Sequence, residues 1–225
     1  MTTHHPTPEA PQVAVRGEAR LDVDPEIARI AVTLSARGTD RAATLTDLTR
    51  RNTHTLDLIK SYGEAIEKLE TGAFSITPEP SRHGRGERIR AYQGTVHLTV
   101  ELTDFTALGE LTTRLADLDL TRVDGPWWAL RPDSPAHAEA RRTAVREAVQ
   151  RARAYAEALG THLTALLELS DTELMPPAPL GGVGMRMAAF AAESPDAPPP
   201  LDLEPQRQTV TAEVTARFTM APPQL

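Results

Sequence analysis

The sequence predicts an α+β protein in which mainly antiparallel sheets pack against three helices. Several segments alternate apolar and polar residues with a period of two, which is typical of strands with one solvated face. Three other segments repeat apolar residues at three- and four-residue steps, which is typical of helices on a core. Their order along the chain is a ββαββ half followed by an αβαββ half.

The first half begins with two alternating segments. From Val13 to Val23 the odd positions are mostly apolar and the even ones mostly charged, and Ile30, Val32 and Leu34 alternate next. Because only the turn at Asp24-Pro25 separates them, we expect these two strands to form a hairpin. A helix follows, capped by Thr39 or Asp40 and stopped by Gly63, with the stripe Leu45, Leu48, Asn52, Leu56, Ile59 and Tyr62.

A strand pair completes the first half, and a second helix opens the second half. Phe74 and Ile76 mark a short strand that we expect to end at the prolines of TPEP. A long strand then carries apolar residues at Tyr92, Val96, Leu98, Val100 and Leu102. Thr103 or Asp104 begins the next helix, whose stripe is Phe105, Leu108, Leu111 and Leu115.

After its first helix, the second half continues with a strand, a long helix and two more strands. The strand from Val123 to Leu130 is interrupted by Gly125-Pro126. Ser134 caps the helix, Pro135 occupies its favoured first position and Gly160 closes it. Two alternating strands follow, the first with Leu163, Ala165, Leu167 and Leu169, the second with Val210, Ala212, Val214, Ala216 and Phe218.

The long helix carries five arginines between residues 138 and 160, which suits either a nucleic-acid surface or the outer face of a packing helix. Three glutamates lie within a helical turn of these arginines, and no aromatic row is present for base stacking. One broad arc is apolar and mostly alanine, which suits close packing on a sheet. We therefore expect a packing helix with the arc Val145, Ala148, Val149, Ala152, Tyr155, Ala156 and Leu159.

Composition restricts the possible functions. The formal net charge of −7 argues against a general nucleic-acid binder, because phosphate neutralisation needs an excess of basic residues. The absence of cysteine excludes disulfides, thiolate metal sites and cysteine nucleophiles. No export leader and no membrane-spanning segment are recognised, so we expect a cytoplasmic protein.

One folded domain is expected over residues 13–220, between a disordered tail at 1–12 and a short tail at 221–225. A loop rich in proline, methionine and glycine interrupts it at 175–205 and shows no regular period.

Four passages together resemble the SIMPL-domain family. They are the helix pattern AVREAVQRARAYAEALG, the opening VAVRGEARLDVDPEIARIAVTLSARG, the strand KLETGAFSITPEP and the ending TVTAEVTARF. The resemblance extends from about Val13 to Phe218. It implies an α+β protein without established catalysis, some of whose relatives assemble into homo-oligomeric rings and are linked to stress tolerance or scaffolding.

No catalytic, cofactor or metal site is predicted. The histidines lack the spacing of metal ligands, and no serine lies in a nucleophile motif. Interface residues are the remaining candidates. Trp127 and Trp128 are strand neighbours whose side chains point to opposite faces, so one of them can serve an interface. Met185, Met187 and Phe190 in the 175–205 loop could also form an apolar anchor for a neighbouring subunit or peptide, although a disordered loop is the favoured interpretation.

The leading functional hypothesis is a non-enzymatic, self-associating protein that acts as a scaffold or stress-related factor and binds no nucleic acid. The alternative is a small-ligand or peptide binder that uses the 175–205 loop as a lid. An unrecognised hydrolase is a third, weaker hypothesis.

Overall fold

A computed structural model describes residues 6–80, 89–171 and 199–223 of the chain. The α+β class and the order of elements, ββαββ followed by αβαββ, are confirmed over these residues. The strands are β1 (Gln12–Val23), β2 (Ile27–Gly38), β3 (Ile66–Pro80), β4 (Ile89–Leu102), β5 (Thr121–Ala129), β6 (Leu163–Asp171) and β7 (Gln208–Met220). The helices are α1 (Arg41–Lys60), α2 (Phe105–Ala116) and α3 (Pro135–Ala158).

The caps of the helices follow the sequence prediction. The carboxylate of Asp40 accepts from the amide of Ala43 at 2.8 Å, and that of Asp104 accepts from Thr106 at 2.9 Å. The hydroxyl of Ser134 accepts from the amide of Ala136 at 3.3 Å. Each side chain satisfies an amide that has no partner within its own helix.

The strands form two antiparallel sheets, ordered β1-β7-β6 and β3-β4-β2-β5. The predicted hairpin of β1 and β2 is wrong. β1 pairs along its whole length with β7, from Gln12 opposite Thr219 to Val23 opposite Gln208, while β2 lies between β4 and β5. The alternation of apolar and polar residues in a strand shows which face is buried, but it does not show which strand lies beside it. In addition, Asp24-Pro25 is not one of the favoured two-residue hairpin turns.

The third strand is longer than predicted. β3 has fifteen residues and pairs with β4 as far as Pro80. It is an edge strand, so most of its side chains stay exposed and its sequence does not alternate clearly. Pro78 and Pro80 are compatible with this place, because the outward amides of an edge strand need no ladder partner.

The described residues divide into two compact units. We call one the terminal unit, since it combines both ends of the chain: residues 6–23, 132–171 and 207–223, with β1, α3, β6 and β7. The other is the central unit, with residues 24–80, 89–131 and 199–206, which carries β2, α1, β3, β4, α2 and β5.

In the terminal unit, α3 packs on β1 and β7 through a stripe of small residues. Its fully buried positions are alanines at four-residue steps: Ala140, Ala144, Ala148, Ala152 and Ala156. Three of these alanines, Ala144, Ala148 and Ala152, share a core cluster with Val15 and Ala19 of β1 and with Val214, Ala216 and Phe218 of β7. Gly17 lies beneath the helix, where a Cβ atom would stand 2.1 Å from the carbonyl oxygen of Ala144.

The core of the central unit lies between its sheet and the helices α1 and α2. β2 contributes Ile30, Val32 and Leu34 and β4 contributes Leu98, Val100 and Leu102, all fully buried. Leu48 and Ile59 of α1 and Leu108, Leu111 and Leu115 of α2 cover them. The opposite face of the sheet is polar: Thr33 and His97, for example, hydrogen-bond at 3.0 Å across the strands.

Candidate binding surfaces

The arginine-rich helix α3 is a packing helix, as predicted. Its arginines are exposed. Arg142 and Arg146 pair with Glu139 at 3.0 and 3.3 Å, and Arg151 pairs with Glu147 at 2.6 Å. The predicted apolar arc was too broad, because Tyr155 is 56% exposed and Leu159 is also exposed. The buried stripe follows the alanines at strict four-residue steps, which leaves these two larger side chains on the flank of the helix.

Helix α3 leaves part of its own sheet uncovered. It packs on β1 and β7 and barely touches β6, which forms one edge of the three-stranded sheet. Leu166 lies opposite Phe218 and Leu169 lies opposite Ala216. Both leucines are therefore on the face of the sheet against which α3 packs. They nevertheless remain 53% and 47% exposed.

The alternation predicted for β6 is wrong in part. The sequence placed Leu163, Ala165, Leu167 and Leu169 on one face. Register shifts between residues 163 and 165 and between 166 and 168 instead place Leu163, Leu166 and Leu169 opposite the apolar residues of β7. Such irregularities turn side chains from one face to the other and are common at sheet edges.

A groove runs between α3 and β6, with a volume of about 520 Å³. Arg153 and Glu157 of α3 line it and are exposed. Its apolar lining consists of Val149, Ala156, Leu163, Ala165, Leu166 and Phe218. We call the groove together with the exposed leucines of β6 the α3–β6 surface.

The central unit contains a cleft of about 540 Å³ between α1 and α2. His54, Leu58 and Tyr62 follow each other at four-residue steps along α1 and its end, so they lie on one side of the helix. From α2 and the residues after it come Glu110, Thr113, Arg114, Asp117 and Leu118, and Pro199 and Pro200 complete the lining.

Residues 199–203, which we call the strap, lie against α2 beside this cleft. The amide of Leu201 donates to the hydroxyl of Thr113 at 3.0 Å, and Leu203 packs on the core. A Cβ atom at Gly109 would lie 2.3 Å from the carbonyl oxygen of Leu201. Any residue other than glycine at this position would therefore clash with the backbone of the strap.

Arg114 stacks over Tyr62 at one end of the cleft. Its guanidinium carbon is 5.8 Å from the ring centroid, and one of its nitrogens donates to the Tyr62 hydroxyl at 3.4 Å. At the other end, His54 and Leu118 also line a second cavity of about 170 Å³ that contains Arg50 and Arg51. This cleft was not predicted from the sequence, although His54, Leu58 and Tyr62 follow each other there at four-residue spacing.

The two tryptophans separate as the strand alternation predicts. Trp128 packs on the core and meets Phe105 edge-to-face, with ring centroids 4.8 Å apart, whereas Trp127 is 50% exposed. An interface role for Trp127 or Trp128 stays a prediction. Met185, Met187 and Phe190, the other predicted interface residues, lie outside the described residues, as does most of the 175–205 loop.

The carboxylates whose pKa values change belong to surface ion pairs. Hydrogen bonds from arginine lower the pKa of each of these carboxylates. The ion pairs are Asp47 with Arg51 and Arg50, Glu67 with Arg131, Glu79 with Arg37, and Glu139 with Arg142. Within the described ranges, no group of three or more histidine, aspartate or glutamate residues is placed to hold a metal ion.

The profile of the SIMPL family, described as a protein of unknown function (DUF541), matches residues 13–218. The chain belongs to the SIMPL family. Two relatives, from Brucella melitensis biotype 1 and Brucella abortus strain S19, are each named 26 kDa periplasmic immunogenic protein. Both are 24% identical over 197 residues, covering 84% of this chain and 78% of the relative. The SIMPL resemblance seen in the sequence is therefore confirmed.

Among solved structures, a candidate amidohydrolase/peptidase from Burkholderia cenocepacia shares 17% identity with this chain. The similarity covers 59% of this chain, which spans about a third of the other protein (33%), with a TM-score of 0.24. A score this low establishes neither a shared fold nor a shared activity.

The expected cytoplasmic location is wrong, since both relatives are named as periplasmic proteins. Export leaders are removed from mature proteins, so the sequence of a folded domain does not report its location. None of the helices in the described part of the chain is long and apolar enough to cross a bilayer.

Proposed function

We propose that this SIMPL protein is exported and that it functions, without catalysis, as a self-associating scaffold, with a second copy of the chain docked on the α3–β6 surface. The single observation that carries the proposal is the uncovered leucine face of β6. Leu166 and Leu169 stand in register with buried residues of β7, yet α3 does not cover them. The names of the Brucella relatives support the exported location.

The edge of β6 supports the same proposal. In the described part of the chain β6 pairs only with β7, so its outer amides and carbonyls can accept another strand. Exposed edges of this kind are usually protected by charge or covered by another element. A second copy that adds to the edge would satisfy these backbone groups and bury the leucines together.

The titratable groups support a role without catalysis. The carboxylates with shifted pKa values are partly exposed, and hydrogen bonds from arginine lower the pKa of each one. A general acid or base that works near neutral pH requires the opposite shift for a carboxylate.

The test replaces both exposed leucines in a Leu166→Glu/Leu169→Glu variant. We expect the wild-type chain to be oligomeric at micromolar concentration and the variant to be monomeric. Association of the variant would bury the two new glutamate charges in the interface without ion-pair partners. Size-exclusion chromatography with light scattering measures the mass. Leu45→Glu, which changes an exposed leucine on α1, is the control and should leave the mass unchanged. A monomeric wild-type chain, or equal masses for wild type and variant, would refute the proposal.

A further inference from the structure

The cleft of the central unit joins two compartments of different chemistry. The larger, of about 540 Å³, is the apolar compartment, with Leu58, Tyr62, Leu118, Pro199 and Pro200 as its apolar lining. The smaller, of about 170 Å³, is the arginine compartment, with Arg50, Arg51 and Thr55. His54 and Leu118 line both compartments, so the two are adjacent.

The size of the apolar compartment suits a small molecule. Ligand pockets have volumes of roughly 300–1,000 Å³, mostly apolar walls and a few polar groups that fix the orientation of the ligand. The compartment has these properties: leucine, tyrosine and proline provide the walls, and Arg114 is held against Tyr62 at one end. The strap, fixed by the hydrogen bond from Leu201 to Thr113, carries the two prolines of its wall.

The arginine compartment offers donors for a negative group. Arg50 and Arg51 share a single carboxylate, that of Asp47, at 2.6 and 2.8 Å. Arg51 also donates to the carbonyl oxygen of Asp119 at 2.8 Å. Since a guanidinium has five N–H donors, these bonds among the described residues engage only one donor of Arg50 and two of Arg51.

The surrounding acidic residues limit the charge of the ligand. Glu110 and Asp117 of the apolar compartment and Asp119 of the arginine compartment are exposed carboxylates. With Asp47, which pairs with Arg50 and Arg51, they make four carboxylates against the three arginines Arg50, Arg51 and Arg114. A polyanion would meet net repulsion here, whereas one carboxylate matches the planar fork of an arginine.

We propose that this cleft binds a small amphipathic molecule with an apolar body and a single carboxylate. The apolar body lies in the apolar compartment over Leu58 and Tyr62. The carboxylate passes His54 and accepts hydrogen bonds from Arg50 and Arg51. The site belongs entirely to the central unit and is independent of self-association through the α3–β6 surface.

The test measures binding of radiolabelled decanoate to the full chain by equilibrium dialysis. We expect one decanoate for each chain. Unlabelled decanoate should displace it, whereas decyltrimethylammonium, which has the same alkyl chain and a cationic head, should not. Equal displacement by both compounds would overturn the proposal, because binding would then depend on the alkyl chain alone.

Two variants examine the two parts of the site. Arg50→Glu reverses a charge on a side chain that is 71% exposed and should weaken decanoate binding about tenfold or more. Arg20→Glu makes the same change at a side chain of the terminal unit that is 73% exposed, and should leave binding unchanged. His54→Trp places a bulky ring at the junction of the compartments and should reduce binding to a similar extent.

Both test positions are exposed, so we expect the variants to retain the wild-type melting temperature. Wild-type affinity in Arg50→Glu or in His54→Trp would refute the assigned head-group site. The Leu166→Glu/Leu169→Glu variant should bind decanoate normally. Loss of binding in that variant alone would place the ligand on the α3–β6 surface and overturn the inference, whatever the oligomeric state.

Discussion

Gly17 in β1 lies directly under α3, at a point where the helix backbone approaches the sheet closely. A Cβ atom at this position would be 2.1 Å from the carbonyl oxygen of Ala144 and 2.6 Å from the amide nitrogen of Ala148. Both are backbone atoms, so no side-chain rotation can relieve the overlap. The alanine stripe of α3 and the glycine of β1 therefore form one close-packed contact.

We predict that Gly17→Ala destabilises the protein by about 3 kcal/mol, because the whole helix must move away from the sheet. Urea unfolding followed by circular dichroism measures this difference. Gly72→Ala is the control: the nearest atom to its Cβ would be 3.6 Å away, at an ordinary contact distance. That variant should stay within about 1 kcal/mol of wild type. Equal destabilisation by the two variants would contradict the close contact at Gly17.

Glu139 shows how the surface charges of α3 respond to pH. Hydrogen bonding from Arg142 holds its pKa below the ordinary value of 4.5. A lowered folded-state pKa means that the ionised form contributes stability above the ordinary pKa. This contribution disappears as the pH falls through the lowered value. Because the group is exposed, its effect is small and sensitive to salt.

We predict that Glu139→Gln lowers the melting temperature slightly at neutral pH in dilute buffer. The difference from wild type should vanish in strongly acidic buffer, where Glu139 is protonated, and should shrink at high salt. Differential scanning calorimetry at each pH measures it. A difference that persists after acidification would show that the ion pair with Arg142 is not its cause.

Among the elements, α2 and the strap depend on each other through Gly109. A glycine inside a helix costs about 1 kcal/mol relative to alanine, so its presence needs a reason. The carbonyl oxygen of Leu201 occupies the space that a Cβ atom would need. The helix thus loses intrinsic stability and gains a contact with the strap.

We predict that Gly109→Ala releases the strap while strengthening α2. The amide of Leu201, which donates to Thr113, should exchange with solvent about tenfold faster or more, corresponding to a loss of about 1.4 kcal/mol or more. Hydrogen exchange followed by NMR measures this rate. Glu110→Ala, at an exposed neighbouring position, should leave it unchanged. Unchanged exchange in Gly109→Ala would show that the glycine is not needed for the strap.

The elements differ in how well the sequence predicts them. The caps Asp40, Asp104 and Ser134 were predictable, because capping depends on residues close together in the chain. The extent of β3 was not, since an edge strand buries few side chains and leaves a weak pattern. The exposure of Tyr155 was not predictable either, because the helical wheel does not show how wide the covered face is.

For the whole molecule, the order of elements was predictable and the pairing of strands was not. Alternation identified β1 and β2, but the partner of β1 lies almost two hundred residues further along the chain, in β7. Tertiary contacts of this kind leave no local signal. The candidate cleft also escaped prediction, because α1, α2 and the strap meet only in the folded central unit.

The pairing of β1 with β7 has a consequence for a chain that is still being synthesised. The strands and helices of residues 24–131 can assemble as soon as they have emerged, apart from the strap. β1, in contrast, must wait unpaired until the last strand, Gln208–Met220, is available. A polypeptide that ends before that strand would expose the edge of β1 and the alanine face of α3. Quality-control proteases could therefore recognise and degrade it as an incompletely folded chain.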